Sequence, residues 1–364
     1  MIKINSFSSF VKHHNPRGYV PMHTDATSDF SNLVNVLGCS PRLQKTIKGL
    51  DFTSMNQYGD RSCLVLKQKI AQWIHVSLEH VTIGNGSDEI IDRISRVFLN
   101  PHEKVLIQTP TFFRFFEACH QMKGKVLTVN TKESEKFAFT EEFCHRMIQA
   151  IKKHNPKIIW LCSPCNPTGI VMPTDVLKKI ITTAHGLVVV DEVYQEFFDP
   201  ENTQSAIHMI KDHPNTLVLK SFSKAFGLAG IRVGFAICDK SIIESLEKFR
   251  LNFPISTISQ KIAESALCDI DFLKQCSNFF LTERSWLFQQ IQKIPMLTIG
   301  ADSKVNVFIL KHNNKDLFEE LTKLKIATAD FRQAMGLEGR GFVRITINTR
   351  KDNIKLLEVL RKIV

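Results

Sequence analysis

The sequence predicts an α/β fold, in which a large unit with a mostly parallel, seven-stranded sheet is followed by a smaller α/β unit. From about residue 80, short β-branched runs alternate with helical patterns, which is typical of βα units. After Phe253 and Pro254, the pattern changes to long helical stretches. The 364 residues, of which 43% are hydrophobic and 23% charged, suffice for a large core and exclude a fibrous or disordered chain.

Seven runs are the predicted strands of the large sheet. They are Val81–Gly84, Lys104–Gln108, Lys125–Val129, Lys157–Cys162, Leu187–Asp191, Thr216–Lys220 and Val233–Cys238. Behind the first run, Ser87 and Asp88 predict an N-cap and a first-turn acid. The residues that follow them at helical spacing are Ile90, Ile91, Ile94, Val97 and Phe98. The sequence therefore places Ser87 at the start of a helix.

The last third of the chain predicts a second, smaller unit. Its helical stretches are Thr257–Cys268 and Phe272–Ile294, and its strand-like runs are Val305–Lys311, Ile326–Asp330 and Phe342–Ile347. The chain has no internal repeat, and no linker rich in Gly, Ser or Pro separates independent modules.

The net charge of +11 suits either a nucleic acid or an anionic small molecule. The densest basic stretches, Lys12–Arg17 and Lys152–Lys157, are short and interrupted, so we interpret the excess as a diffuse bias toward anionic substrates. The nine cysteines, odd in number and scattered, indicate a reducing compartment. With no signal-like or membrane-spanning run, we expect a cytoplasmic protein, while the serine-rich start leaves an organelle transit peptide as an alternative.

The segment SFSKAFGLAGIRVGF, residues 221–235, carries the most informative reactive side chains. Lys224 offers an amine that can attach covalently to a carbonyl cofactor when it is partly desolvated. Ser221, Ser223 and Arg232 suit a phosphate, because arginine forms forked, charge-assisted contacts. As one of many lysines, Lys224 could equally lie at the surface, so the residues alone leave both interpretations open.

This segment closely resembles the cofactor-lysine motif of fold type I pyridoxal-phosphate (PLP) enzymes, especially the histidinol-phosphate aminotransferase group and the related threonine-phosphate decarboxylases. The resemblance extends from about residue 20 to the C-terminus. It implies PLP held by Lys224 and a homodimer. It also implies a large cofactor-binding domain at residues 48–253 and a small domain formed by residues 1–47 and 254–364. The site is expected at the carboxyl ends of the strands.

Two upstream segments resemble the family's contacts with the cofactor ring. In LVVVDEVYQEF, the resemblance implies that Asp191 keeps the pyridine nitrogen protonated and that Tyr194 hydrogen-bonds the phenolate oxygen. In SPCNPTG, Asn166 matches the residue that contacts the same oxygen. Cys162 and Cys165 also form a C-x-x-C pattern, which leaves a redox or metal site as an alternative, although no second ligand pair stands at zinc spacing.

Three further segments resemble the family's phosphate and stacking contacts. GNGSDEI, residues 84–90, leads from a strand into a helix, where free N–H groups and the helix dipole favour an anion. By resemblance that anion is the cofactor phosphate, and Ser87 and Asp88 supply backbone amides. In PTFFRFF, Phe112 corresponds to the aromatic side chain that stacks on the pyridine ring, with a core phenylalanine as the alternative. In NQYGD, Tyr58 corresponds to a tyrosine that the neighbouring subunit contributes to the phosphate.

The resemblance also implies where the substrate binds. Arg344, in the strand-like GFVRITINTR, corresponds to the arginine that binds the substrate α-carboxylate. In DFSNLVNVLG, residues 29–38, Asn35 is expected at the substrate site, but Leu33 and Val36 replace an asparagine and a proline of the family pattern.

The segment IATADFRQAMGLEGRG departs from the family at the substrate-phosphate position. Ala329 stands where the family carries an arginine for a substrate phosphate. Arg332 or Arg17 could take over that contact, although strand alternation argues against a simple exchange. We therefore expect complete cofactor machinery and an altered substrate end.

The function that these residues imply is PLP-dependent amino transfer between an amino-group donor and a 2-oxo acid or phosphorylated substrate, as in the histidinol-phosphate aminotransferases. Alternatives within the enzyme class are a decarboxylase or other lyase and a specialised-metabolism aminotransferase, because the same residues serve each reaction. A basic nucleic-acid-binding protein on an old enzyme scaffold is an alternative from a different class. The joint presence of Asp191, Lys224 and Arg232 favours catalysis.

Overall fold

The computed structural model describes residues 26–51 and 53–363, which form three β-sheets with helices packed around them. The basic stretch Lys12–Arg17, and with it the alternative phosphate ligand Arg17, lies outside the described residues. The strands are β1 (Ser28–Asp29), β2 (Val81–Asn85), β3 (Lys104–Thr109), β4 (Lys125–Asn130), β5 (Ile158–Cys162), β6 (Leu187–Asp191), β7 (Thr216–Ser221), β8 (Val233–Cys238), β9 (Leu297–Ile299), β10 (Val307–His312), β11 (Ile326–Ala327), β12 (Ala329–Asp330) and β13 (Val343–Thr346).

The helices connect these strands and cover the sheets. They are α1 (Leu43–Lys48), α2 (Leu64–Trp73), α3 (Gly86–Phe98), α4 (Arg114–Gln121), α5 (Glu141–His154), α6 (Thr174–Thr183), α7 (Gln195–Phe198), α8 (Lys240–Glu247), α9 (Thr257–Ala266), α10 (Asp271–Ile291), α11 (Leu317–Lys323) and α12 (Arg350–Ile363). Among the described residues, none of these helices combines the length and apolar character needed to cross a membrane.

The large sheet has the order β2-β8-β7-β6-β5-β3-β4. Only β8 runs antiparallel to its neighbours, so the sheet is mostly parallel, as predicted. All seven predicted strands are present, and each observed boundary lies within one residue of its prediction. The strands β5 to β8 are buried along their whole length, because helices cover both faces of the sheet.

Helix α3 begins one residue earlier than predicted. It starts at Gly86 with Asn85 as the N-cap, and the Asn85 side chain makes no capping hydrogen bond, so the expectation that Ser87 caps the helix was wrong. The reason is the tight turn out of β2. Gly86 has a φ of +74°, which favours glycine, and its N–H donates to the Arg232 carbonyl at 3.1 Å.

The smaller unit is built around the sheet β12-β13-β10-β9. The sequence did not predict β9, which has only three half-buried residues. The single predicted strand Ile326–Asp330 is in fact two strands that break at Thr328. The first half, β11, pairs in parallel with β1, whereas the second half, β12, pairs antiparallel with β13.

The pairing of β1 with β11 attaches residues 28–29 to the last third of the chain. This is the arrangement that a small domain made of both ends of the chain requires. Helix α9 in turn packs against α1 and α2. The domain limits at residues 48 and 253 stay a prediction.

Candidate active site

The carboxyl ends of the central strands meet at one edge of the large sheet. β5 ends at Cys162, β6 at Asp191 and β7 at Ser221, and these neighbouring strands run parallel. These strand ends and the loops that follow them carry the predicted site residues Asn166, Asp191, Tyr194, Ser221, Ser223, Lys224 and Arg232. The fold therefore places side chains from distant parts of the sequence around one site.

Lys224 lies in the loop after β7, and its side chain is half-buried. Its Nζ donates to the Leu33 carbonyl at 3.3 Å and lies 5.5 Å from the centre of the Tyr194 ring. Burial, assisted by the positive charge of Arg344, lowers the pKa of the Lys224 amine to about 8. At pH 7 about a tenth of this amine is thus neutral and nucleophilic, and the fraction reaches about one half at pH 8.

Asp191 is a buried carboxylate at the end of β6, 4% exposed. One of its oxygens, Oδ1, accepts the Val193 N–H at 3.0 Å. Burial raises the pKa of the Asp191 carboxyl to about 7, although this hydrogen bond and the nearby Lys224 oppose the rise. A buried carboxylate of this kind can hold a proton on a cationic ring nitrogen, because the ring's charge would offset the burial.

A polar cradle forms where the start of α3 meets the segment between β7 and β8. Ser221 Oγ donates to Ser223 Oγ at 2.9 Å, and Arg232 Nη2 lies 3.3 Å from Asp88 Oδ2. A Cβ added at Gly86 would lie 2.4 Å from Arg232 Nη2, so only glycine lets the guanidinium reach the helix start. The first N–H groups of a helix have no partner within the helix, and they favour an anion.

Arg344 lies on β13 and is 8% exposed. Its Nη1 donates to Asn166 Oδ1 at 2.9 Å and its Nη2 donates to the Ser31 carbonyl at 3.0 Å, while its guanidinium packs 4.9 Å from the centre of the Phe331 ring. These contacts fix the direction of the guanidinium. Asn166 and Arg344, 178 residues apart in sequence, are thereby brought together.

The substrate end departs from the family in the way that the sequence indicated. Ala329 is the partner of Arg344 in the antiparallel pairing of β12 with β13, so the two side chains project from the same face. Arg332 binds the carboxylates of Asp330, at 2.9 Å, and of Asp316, and these ion pairs raise the pKa of its guanidinium. A substrate contact for Arg332 would require these pairs to open, and this role stays a prediction.

Two further predicted site residues are Phe112 and Asn35. Phe112 is half-buried and packs edge-on against Phe113 and Phe115, with ring centres 5.0 and 5.9 Å away. Asn35 uses its amide group to bind the Ala225 carbonyl at 2.8 Å, one residue from Lys224. Their roles in stacking and in substrate binding stay predictions.

Tyr58 is the most exposed of the predicted site residues. Its side chain is 83% exposed and stacks on Phe253, with the ring centres 4.3 Å apart. An exposed aromatic side chain is available to a second subunit, and the predicted role in a partner's site stays a prediction.

The sequence analysis did not predict a buried charge cluster formed by Lys220, Glu192 and Glu196, which begins at the residue after Asp191. Lys220 Nζ lies 2.8 Å from Glu196 Oε1 and 3.3 Å from Glu192 Oε2, and it donates to Asn202 Oδ1 at 2.6 Å. The signal for this cluster was the lysine within the apolar run that became β7, which has no exposed face. The cluster ties the segment that carries Asp191 to the neighbouring strand.

The family profile described as "Aminotransferase class I and II" matches residues 28–362, which is nearly the whole described chain. The chain belongs to this family. Histidinol-phosphate aminotransferase of Thermoanaerobacter pseudethanolicus is 33% identical over 324 residues, which are 88% of either chain. Histidinol-phosphate aminotransferase 2 of Archaeoglobus fulgidus is 34% identical over 298 residues, 82% of either chain.

Solved structures of the family share the fold of this aminotransferase. Histidinol-phosphate aminotransferase of Sinorhizobium meliloti in complex with pyridoxal-5'-phosphate superposes with a TM-score of 0.85 at 20% identity, covering 99% of both chains. L-threonine-O-3-phosphate decarboxylase of Porphyromonas gingivalis superposes with a TM-score of 0.77 at 19% identity, covering 92% of this chain and 99% of that one. The predicted fold type I architecture and the predicted resemblance are confirmed.

Class I and II aminotransferases depend on PLP, and the residues of this aminotransferase fit that cofactor. A phosphate matches the cradle that Gly86 keeps open beside Arg232. The desolvated amine of Lys224 is suited to bind the aldehyde of the cofactor. The buried carboxylate of Asp191 is suited to pair with the protonated ring nitrogen of the cofactor. The predicted enzyme class and cofactor are confirmed.

Proposed function

We propose that this aminotransferase exchanges an amino group between an amino acid or amino-alcohol phosphate and a 2-oxo acid, in the manner of the histidinol-phosphate aminotransferases. The observation that carries the proposal is the position of Lys224, whose amine has a pKa of about 8 and lies beside Tyr194 and near the charges of Asp191 and Arg344. Curated relatives of that name, 33–34% identical over more than four fifths of the chain, support the substrate class.

Proton transfer is assigned to Lys224. When bound, PLP supplies an electron sink for the charge that develops on the substrate Cα. The Lys224 amine would remove the proton from the substrate Cα and would donate a proton to the Cα of the acceptor in the second half of the exchange. It can do so because its lowered pKa keeps the amine partly neutral at working pH. Asp191 would hold the proton on the ring nitrogen, which the buried carboxylate can do without water competing for it.

The remaining cofactor contacts are assigned by position. The phosphate would bind to the N–H groups of Ser87 and Asp88 and to the side chains of Ser221, Ser223 and Arg232. Asn166 and Tyr194 would contact the phenolate oxygen, and Phe112 would stack on the ring. In this arrangement the Arg232–Asp88 ion pair, 3.3 Å long, would open or be shared when the phosphate enters.

Substrate binding is assigned to Arg344, with Asn35 and Arg332 as additional candidates. The two contacts with Asn166 and Ser31 hold the Arg344 fork in one direction, so it can bind a carboxylate through two hydrogen bonds. Orientation matters for the reaction, because a carboxylate held by Arg344 in one direction would decide which bond at the substrate Cα is placed to break. Ala329 supplies no cation beside it, so the substrates to be tested include amino acids without phosphate.

The test is the absorption spectrum of the PLP-loaded protein before and after addition of histidinol phosphate, glutamate and then other amino acids. We expect one of them to convert the cofactor to its amine form. Lys224→Ala is expected to abolish the visible band of the lysine-bound cofactor and the conversion, while Lys304→Ala, at an exposed ion pair with Asp302, leaves both intact. A normal lysine-bound band without conversion by any amine would contradict amino transfer, and release of carbon dioxide would then support the decarboxylase alternative.

We further propose that the enzyme is a homodimer whose Tyr58 reaches the cofactor phosphate of the partner subunit. The 83% exposure of Tyr58 and its stacking on the exposed Phe253 support this proposal. Mixing inactive Lys224→Ala and weakened Tyr58→Ala chains should restore activity, because a hybrid dimer has one site with neither change. No gain on mixing, with hybrid dimers present by mass, would contradict shared sites.

We also infer that the enzyme works in a reducing, cytoplasmic compartment. All nine cysteines are free thiols, and most of them are buried. Localisation of the full chain fused to a fluorescent protein tests this, and import into an organelle would contradict it.

A further inference from the structure

Two thiols lie directly against the candidate active site, and amino transfer uses neither of them. Cys162 ends β5 and Cys165 follows in the loop that carries Asn166; their exposed fractions are 2% and 1%. Both residues contact the side chain of Gln108. We propose that Cys162 and Cys165 form a reversible disulfide whose formation displaces Asn166 and thereby weakens the binding of substrate by Arg344. The regulatory part of this inference rests on the proposed function.

The side chain of Gln108 contacts both cysteines and fixes their positions. Its Oε1 accepts the Cys162 N–H at 2.8 Å, and its Nε2 lies 3.5 Å from Cys165 Sγ. Cys165 Sγ in turn lies 3.2 Å from the Pro110 carbonyl. The pair is therefore prearranged by an element outside its own loop, which lowers the entropic cost of joining the two sulfurs.

The two thiols also differ in character, as a reactive pair requires. Burial opposes ionisation of Cys165, but hydrogen bonds from Cys162, Thr168 and Gln108 outweigh it and lower the pKa of the Cys165 thiol. The hydrogen bond to Cys165, together with burial, raises the pKa of Cys162. In the proposed pair, Cys165 attacks first, because the Gln108 amide lies 3.5 Å from its sulfur, and Cys162 is the resolving thiol.

A small peroxide is the oxidant that suits this buried pair. The Cys165 sulfur attacks one peroxide oxygen, the O–O bond breaks, and the products are a sulfenic acid and water. The Cys162 sulfur then attacks the sulfenic sulfur, the S–O bond breaks, and the products are the disulfide and a second water. Two thiols are oxidised and one peroxide is reduced to two waters, which carry the thiol hydrogens.

The link to the active site is two contacts long. The Asn166 N–H donates to Cys162 Sγ at 3.4 Å, and Asn166 Oδ1 accepts from Arg344 at 2.9 Å. A disulfide holds its sulfurs about 2.0 Å apart, so the sulfurs must move together by more than about 1 Å from non-bonded contact. That movement would displace the loop at Asn166 and would change the orientation of the Arg344 guanidinium.

The experiment uses the PLP-loaded dimer or monomer as purified, in a Cys39→Ser/Cys268→Ser background that removes the two cysteines that are not buried. After hydrogen peroxide treatment, peptide mapping should find a disulfide between Cys162 and Cys165. The KM for the carboxylate substrate should rise by about tenfold, the effect of one weakened charge-assisted contact, with a smaller change in kcat. Dithiothreitol should reverse both changes.

Cys162→Ser and Cys165→Ser in the same background are the matched controls, and neither should respond to peroxide. Failure of the disulfide to form overturns the site, whether or not amino transfer is found. A disulfide that forms without changing KM overturns the link to Arg344. A KM rise that persists in both serine variants overturns it as well, because another group would be the target of the peroxide.

Discussion

Replacing Lys220 with methionine is expected to destabilise the protein by about 3–5 kcal/mol at pH 8, the cost of leaving a buried charge without its partner. Lys220 is 0% exposed, and its Nζ contacts Glu196 at 2.8 Å and Glu192 at 3.3 Å. Methionine fills much the same space but leaves both carboxylates without a cation. Glu192 keeps hydrogen bonds from Ser205 and Ala206, each 2.6 Å long, whereas Glu196 loses its strongest contact.

The size of this effect should depend on pH. Burial raises the pKa of the Glu196 carboxyl even with Lys220 present. In the folded variant, Glu196 should therefore bind a proton at higher pH than it does in the unfolded chain. Between the pKa of Glu196 in the unfolded chain and its higher pKa in the folded variant, the folded state holds more protons. The stability of the variant therefore falls as the pH rises through this range. We expect a smaller loss at about pH 5 than at about pH 8.

Urea denaturation of the apoprotein, followed by tryptophan fluorescence, measures this loss at both pH values. Lys220→Arg should restore much of the stability because it keeps the charge, and Lys220→Met/Glu196→Gln should be less harmful than Lys220→Met. Lys323→Met, at the exposed ion pair with Glu320, is the matched surface control and should leave the denaturation curve unchanged. The reasoning fails if Lys220→Met costs no more than this control, or if its cost is the same at both pH values.

Three further predictions concern the active site. In the apoprotein, labelling of Lys224 by an amine-reactive aldehyde, followed by peptide mapping, should rise with pH around a midpoint near 8. A midpoint above 10 would contradict a desolvated Lys224 amine with a lowered pKa. The Asp191 carboxyl contributes stability that is fully present below pH 3.8 and is lost as the pH rises through about 7. In urea denaturation of the apoprotein, the stability of Asp191→Asn should therefore fall less over that pH range than the stability of the wild type. An equal fall in both proteins would contradict this prediction. Arg344→Lys should raise the KM for a carboxylate substrate by roughly tenfold or more, because lysine lacks the two-pronged contact, and the effect of Arg332→Lys in steady-state kinetics should be smaller.

The large sheet could be predicted strand by strand, since buried parallel strands are continuous apolar and β-branched runs. The small unit was harder, because pairing rather than residue type decides its strands. Nothing in the run Ile326–Asp330 shows that its halves pair with β1 and with β13. The strand β9 was missed because three half-buried residues carry no pattern of their own.

The candidate site could be predicted where its residues belong to short local motifs, as with Lys224 and Asp191. The sequence could not show contacts that use the backbone, because any residue offers a carbonyl. The Leu33 and Ser31 carbonyls, which contact Lys224 and Arg344, are of this kind. Nor could it show that Lys220 faces two glutamates, since that depends on which strands become neighbours.

The pairing of β1 with β11 also affects synthesis of the protein. Thr27 and Lys325, which join these strands at one end, are 298 residues apart, and at about 5–20 residues per second the ribosome needs roughly 15–60 seconds to deliver the second after the first. The seven strands of the large sheet emerge within that interval, before Arg344. A nascent chain can thus complete its sheet and the loop of Lys224 while the segment of Ser31 and Leu33 still waits for its partner strand. Arg344 and the strand that pairs with residues 28–29 can therefore join the site only after the large sheet and the loop of Lys224 have been made.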